Sequence, residues 1–230
     1  MYYWVDNVLG YNGVPSIDID SLAKAESFGE IREVMKNLGF QSAGFRFAKP
    51  IKSLIVMEEV KVDFLFDEKP SQLSFDTPFA SLIFRNRYYS KVYFEVRDFN
   101  KNLIAGGKVN VAFPGAVLAL KSDIYTDVAN YSDDKRDKHW KDIIDVYSLV
   151  MGFYRKREAW RGKDFYLRKG VLRELHKAKS YRLTSIYEVL KGSPYKEDIR
   201  IMLADYVGFR VFEEKLFERK LRELEDAIKN

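Results

Sequence analysis

Asp18 and Asp20 alternate with Ile17 and Ile19, and about forty residues later Asp63 sits between Val62 and Phe64. In an extended strand side chains alternate between faces, so Asp18 and Asp20 share one face and the isoleucines take the other. If the strand carrying Asp63 lies beside this one, three carboxylates converge at one sheet edge. Close carboxylates repel one another unless a cation sits among them. Mg²⁺ is the natural occupant, a hard ion that takes oxygen ligands and shares them with substrate phosphates. Two such ions can clamp the attacking and leaving oxygens of a phosphoryl or nucleotidyl transfer. The plain alternative is three acidic residues on a solvated strand face.

The elements that must position these residues follow from periodicity. Residues 16–22 read as a strand after a turn marked by Gly10, Asn12, Gly13 and Pro15. Ser27 and Glu30 have capping-box spacing, and Ile31, Val34, Met35 and Leu38 recur on one helical face before Gly39, a plausible C′ residue. Residues 41–48 read as a strand ended by Pro50, residues 53–67 contain the Asp63 strand, and 72–76 is a further short strand candidate. Residues 91–99 and 103–113 read as strands joined by a turn at Asn100-Lys101-Asn102. Pro114 suits the first position of a helix, lined by Val117, Leu120, Ile124 and Val128 with Lys121 beside that stripe. A polar loop at 132–138 leads to a helix at about 139–151, on which Asp142 and Asp145 share a face. Helices are expected near 164–179, 181–191, 196–206 and 209–229. The last carries Phe217, Leu221, Leu224 and Ile228 and reads as a packing face. The expected class is α+β: a mixed-sheet domain over 1–151 and a basic, mostly helical region over 152–230.

The chain is 47% hydrophobic and 32% charged over 230 residues, the profile of a globular protein. No apolar run approaches the length of a membrane span, so no membrane partner is expected. The start, Met1-Tyr2-Tyr3-Trp4-Val5-Asp6, lacks a basic segment and a long apolar core, so a cytoplasmic location is expected. The absence of cysteine excludes disulfides, thiolate metal sites and thiol nucleophiles. With only His139 and His176, a multi-histidine metal centre is nearly excluded.

The net charge is +5, and it is unevenly spread. Residues 152–182 hold eleven basic and three acidic residues, a net +8. Arg155, Lys156, Arg157, Arg161, Lys163, Arg168 and Lys169 lead this run, with Tyr154, Trp160, Phe165 and Tyr166 interleaved. Such a mixture suits phosphate contacts with base stacking, and these seven are the candidate nucleic-acid contacts. It equally describes a charged helical surface whose aromatics belong to a core.

Four segments together resemble the nucleotidyltransferase-fold proteins of the AbiEii/AbiGii toxin type. They are Ile17-Asp18-Ile19-Asp20, Lys61-Val62-Asp63, the helix Pro114-Gly115-Ala116-Val117-Leu118-Ala119-Leu120-Lys121, and Lys141-Asp142-Ile143-Ile144-Asp145. The resemblance covers roughly residues 1–151. It implies a nucleotidyltransferase-like domain that moves a nucleoside monophosphate from an NTP onto RNA, tRNA included, or another acceptor. It also implies Mg²⁺ as cofactor and the toxin's place in a toxin–antitoxin pair, with an antitoxin protein as partner. Asp18 and Asp20 would bind the metal and the triphosphate. Asp63 would complete the metal site and help deprotonate the attacking hydroxyl. Lys121 would meet the phosphates, and Asp142 would orient it.

The chain also departs from that family. Val5-Asp6-Asn7 stands where the family has a glycine pair whose amides cradle the triphosphate, and Val14 where it often has arginine. A catalytically degenerate module of the same fold, binding RNA or a protein partner, therefore stands as the alternative.

Overall fold

The computed structural model of the chain describes residues 5, 9–13, 18–52, 57–66, 78–97, 100–126, 139–156 and 169–229. The architecture is α+β: a mixed four-stranded sheet, a two-stranded antiparallel sheet and a helical C-terminal region. Two compact units divide the chain, Val14–Asn86 on one side and Tyr3–Gly13 with Arg87–Asn230 on the other. Position 152, where the sequence turns basic, lies inside a helix of the second unit.

In the first unit β1 (Asp18–Ala23) pairs in parallel with β4 (Met57–Phe66), giving the sheet order β1-β4-β3-β2. The other two strands are β2 (Gln41–Ala43) and β3 (Arg46–Lys52). The expected single strand at 41–48 is thus a hairpin, turned at Gly44. Pro50 does not end it; β3 runs through Pro50 opposite Glu59. Because β2 ends at the partner of Ala48, β3 has a neighbour on one side alone at Pro50, where a proline stands without losing a ladder bond. Helix α1 (Phe28–Asn37) connects β1 to β2. One sheet face, with Val62, Phe64, Phe66 and Phe47, packs against Phe28, Ile31 and Met35 of α1.

Two details of α1 depart from its periodicity. Ser27 makes no side-chain capping bond; it ends a 3₁₀ turn (Ala25–Ser27), and its N–H donates to the Lys24 carbonyl. The buried stripe is Phe28, Ile31 and Met35, while Val34 and Leu38 stay half exposed. At the C-terminus Gly39 adopts φ +82 as expected of a C′ glycine. The Phe40 N–H reaches the Met35 carbonyl and the Gly39 N–H the Lys36 carbonyl, both at 2.9 Å, which is a Schellman motif. Helix α2 (Pro78–Arg85), to which the sequence reading assigned no element, opens the stretch of high aromatic and β-branched content. The strand candidate at 72–76 lies outside the described residues.

In the second unit β5 (Tyr89–Arg97) and β6 (Leu103–Ala112) form the expected antiparallel ribbon, with a bulge at Val96/Arg97 and Lys101 at φ 66 in the turn. Helix α3 (Pro114–Thr126) starts at its proline as expected, but its buried face is not the predicted one. Ala116, Leu118, Ala119, Ser122 and Tyr125 are buried, whereas Ile124 is half exposed. Small side chains on the inner face let α3 approach its neighbours closely. The following helices are α4 (His139–Arg155), α5 (Lys169–Ala178), α6 (Ser185–Gly192), α7 (Lys196–Ile201) and α8 (Glu214–Lys229). A π-helical turn (Met202–Val207) extends α7 and is stopped by Gly208 at φ 96. Residues 143–152 of α4 are all buried, so this helix is the unit's axis. Around Tyr147 gather Phe209, Phe212 and Phe217 at ring-centroid distances of 5.1–5.2 Å. Phe217, Leu221 and Ile228 of α8 are buried within the unit, as a packing face should be, and Glu225 joins them. Its carboxylate accepts from the Thr184 N–H and hydroxyl at 3.0 and 2.7 Å.

Candidate active-site residues

The β1–β4 ladder sets Asp18 opposite Lys61, Ile19 opposite Val62 and Asp20 opposite Asp63. Register partners in a sheet share a face, and so do residues two apart along a strand. The positions of Asp18, Asp20 and Asp63 therefore fall on one face, opposite the face that packs on α1, and β1 is the edge strand. This is the sheet geometry that the spacing of the three aspartates predicts. The side chains of Asp18 and Asp20 lie outside the described residues.

Asp63 has a cation in hand that its sequence context does not reveal. Arg46, its register partner on β3, donates from Nε to Oδ1 at 2.7 Å and from Nη2 to Oδ2 at 2.5 Å. The Asp63 side chain is 14% exposed and the Arg46 side chain 44% exposed. Lys61, on the same face beside Asp18, is a second cation at this edge. Carboxylate oxygens are the donors a hard divalent cation takes. Asp63 keeps lone pairs beyond the two that Arg46 occupies, so the donor set fits Mg²⁺ in type. Among the described residues no group of three or more His, Asp or Glu side chains is arranged to hold a metal.

The second cluster is built by α3 and α4. Lys121 ion-pairs with Asp142 and stands 3.8 Å from Asp145. The Tyr125 hydroxyl donates to the other Asp142 oxygen at 2.5 Å. Helical spacing explains the set: Lys121 and Tyr125 are four apart on α3, Asp142 and Asp145 three apart on α4. Asp142 thus holds Lys121 in place. Asp145 is buried, and desolvation pushes its carboxyl up to about 6, against the pull of Lys121, with Asp142 adding to the rise. A lysine fixed between two carboxyl groups, one of them raised by burial to about 6, is suited to binding an anion or exchanging a proton. Tyr125 and Asp145 were absent from the expected site, although each is one helical step from a residue that was in it. Arg46 gave no such signal, because nothing in one sequence ties position 46 to 63.

The basic segment divides. Arg155 pairs with Glu213 at 2.6 Å and lies over the Phe209 ring, 5.0 Å from its centroid. Lys156 donates to the Leu9 carbonyl and lies over Tyr11. Both charges are engaged inside the protein. Lys169 begins α5. Arg157, Arg161, Lys163 and Arg168 lie outside the described residues, as does the side chain of Lys169. Comparisons with protein-family models, curated proteins and solved structures return no match.

Proposed function

We propose that the chain is a Mg²⁺-dependent nucleotidyltransferase that moves a nucleoside monophosphate from an NTP onto RNA. The observation that carries the reading is the parallel β1–β4 register, with Asp20 beside Asp63 and Asp18 on the same face of an edge strand. Asp18, Asp20 and Asp63 would hold the metal, which when bound neutralises phosphate charge and orients the reacting oxygens. Asp63 would also help deprotonate the attacking hydroxyl. Lys121, fixed in the other unit by Asp142 and Tyr125, is the cation that the family resemblance assigns to a triphosphate.

A second reading has its own observation. The two-pronged Arg46–Asp63 pair satisfies Asp63 without any metal, as a purely structural cross-strand pair would. On that reading the chain is a non-catalytic module that binds RNA or a protein.

The test is incubation of the protein with each α-labelled NTP, Mg²⁺ and total RNA. Wild type is expected to label RNA, and Asp20→Asn to abolish labelling while melting at an unchanged temperature, because a ligand needed in the transition state is removed. Unchanged turnover in Asp20→Asn at saturating Mg²⁺ would sink the proposal. Arg46→Gln separates the readings: the enzyme retains labelling and needs less Mg²⁺, whereas the structural pair yields only a lower melting temperature.

A further inference from the structure

The β5–β6 ribbon carries a polar patch that the proposed catalytic residues do not use. Its register sets Lys91 opposite Asn110 and Tyr93 opposite Lys108. Directly opposed residues of an antiparallel pair share a face, with Cβ atoms about 5 Å apart, and residues two apart on one strand lie about 7 Å apart. The four side chains therefore form a compact square on one face. All four are exposed, and Tyr93 is 61% accessible although large and aromatic. Neither Lys91 nor Lys108 has an ion-pair partner among the described residues. Val92, Val109 and Val111 are on the opposite face, while Leu103, opposite Arg97, is an exposed apolar residue on the patch's own face near the turn. Glu95 stands toward the turn, opposite Gly106, and bounds the patch at that end.

We propose that this face of the ribbon binds single-stranded RNA, with Tyr93 stacking on a base and Lys91 and Lys108 on the flanking phosphates. The choice of RNA rests on the nucleotidyltransferase reading, but the binding does not depend on catalysis. Charge complementarity decides the occupant. Two lysines, an amide and an exposed ring are the combination that single strands use, electrostatic contact to the backbone plus a sequence-tolerant stacking platform. A protein strand added at the ribbon edge would pair through backbone N–H and C=O groups and would leave these four side chains unused.

The test is fluorescence anisotropy of a labelled oligouridylate strand on the full-length protein, without NTP and with EDTA, across a salt series. Failure of catalysis therefore leaves the measurement intact. The double variant Lys91→Gln/Lys108→Gln is expected to weaken binding about tenfold or more at low salt. It should also flatten the slope of log affinity against log salt by roughly 0.7 for each phosphate no longer neutralised. Tyr93→Ala should weaken binding by about fivefold or more with an unchanged slope, and Tyr93→Phe should bind as wild type. All these positions are exposed, so the melting temperatures should not move. Wild-type affinity and slope in the double variant, or no binding by wild type, overturns the proposal. Equal affinity for the same strand in a duplex overturns the stacking role. Disappearance of a concentration-dependent dimer in these variants, with RNA binding intact, would mark the face as an interface between copies and overturn it too.

Discussion

Asp145 is the residue at which the second unit's chemistry and its stability meet. Its carboxyl is raised from 3.8 to about 6 by burial, so the folded protein binds a proton there that the unfolded chain has released. Stability from this group is fully present below about pH 4 and is lost as pH rises through about 6. At ~1.4 kcal/mol per pH unit, the full displacement is worth roughly 3 kcal/mol. Asp145→Asn keeps the neutral shape at every pH. Its stability relative to wild type should therefore increase between about pH 4 and 6.5 and then level off, as read by urea denaturation across that range. A difference that stays flat with pH would show that Asp145 is ionised throughout in the folded protein. This residue is also where sequence reading stopped short. Lys121 and Asp142 were legible as a pair only through what the family resemblance implies. The burial that makes Asp145 unusual comes from α4 being enclosed on every side, which no local pattern records. Arg46 was hidden for a related reason: only the β3–β4 register joins it to Asp63.

Among the elements, α1 shows how a local rule and a tertiary one divide the work. Its C-terminus was legible, since Gly39 follows the last apolar position and adopts φ +82. A Cβ at Gly39 would come no closer than 3.5 Å to Lys49 Nζ, so the penalty of a side chain there is conformational and not steric. Gly39→Ala should cost about 1–2 kcal/mol, and Gly39→Asn less. Gly29, in the first turn of the same helix with nothing within 4 Å of an added Cβ, should respond in the opposite sense. Gly29→Ala should stabilise by about 0.5–1 kcal/mol through helix propensity. Equal shifts for both substitutions in chemical denaturation would rule out the left-handed cap as the cause. The strands β1, β4, β5 and β6 were legible because period-two alternation is strong in them. The inner face of α3 was not, because Ala116, Ala119 and Ser122 bury it while the larger Ile124 faces out. Hydrophobicity ranks those positions in the wrong order; close packing against α4, α5 and α6 puts the small residues inside. Helix α2 was missed because Phe79, Ile83 and Phe84 have strand propensity, which the fold overrides.

At the scale of the whole molecule, the +8 run at 152–182 within a +5 chain looks like one electrostatic feature, but Arg155 and Lys156 in it are engaged within the protein. Arg155 and Lys156 tie the end of α4 to residues 9–13 and 209–213. Asn12 adds to the same seam, its N–H donating to the Val207 carbonyl at 3.1 Å and its amide to the Tyr206 carbonyl at 2.6 Å. Removing Arg155 breaks a half-buried ion pair and a stacking contact, each worth about 0.5–1 kcal/mol. Arg155→Ala should therefore lower stability by about 1–2 kcal/mol and leave the salt slope of RNA binding where it was. Lys156→Ala should behave alike, since its ammonium is held on the Leu9 carbonyl. Arg161, Lys163 and Arg168 are the contrasting set. If they contact phosphate, neutralising all three flattens the slope by roughly 0.7 per phosphate released and leaves the melting temperature unchanged. Thermal melts and filter binding over one salt series decide the matter for every variant. A flattened slope in Arg155→Ala would mean that its pairing with Glu213 gives way to phosphate when RNA is present. The seam would then be an interface that opens on binding, not a fixed part of the fold.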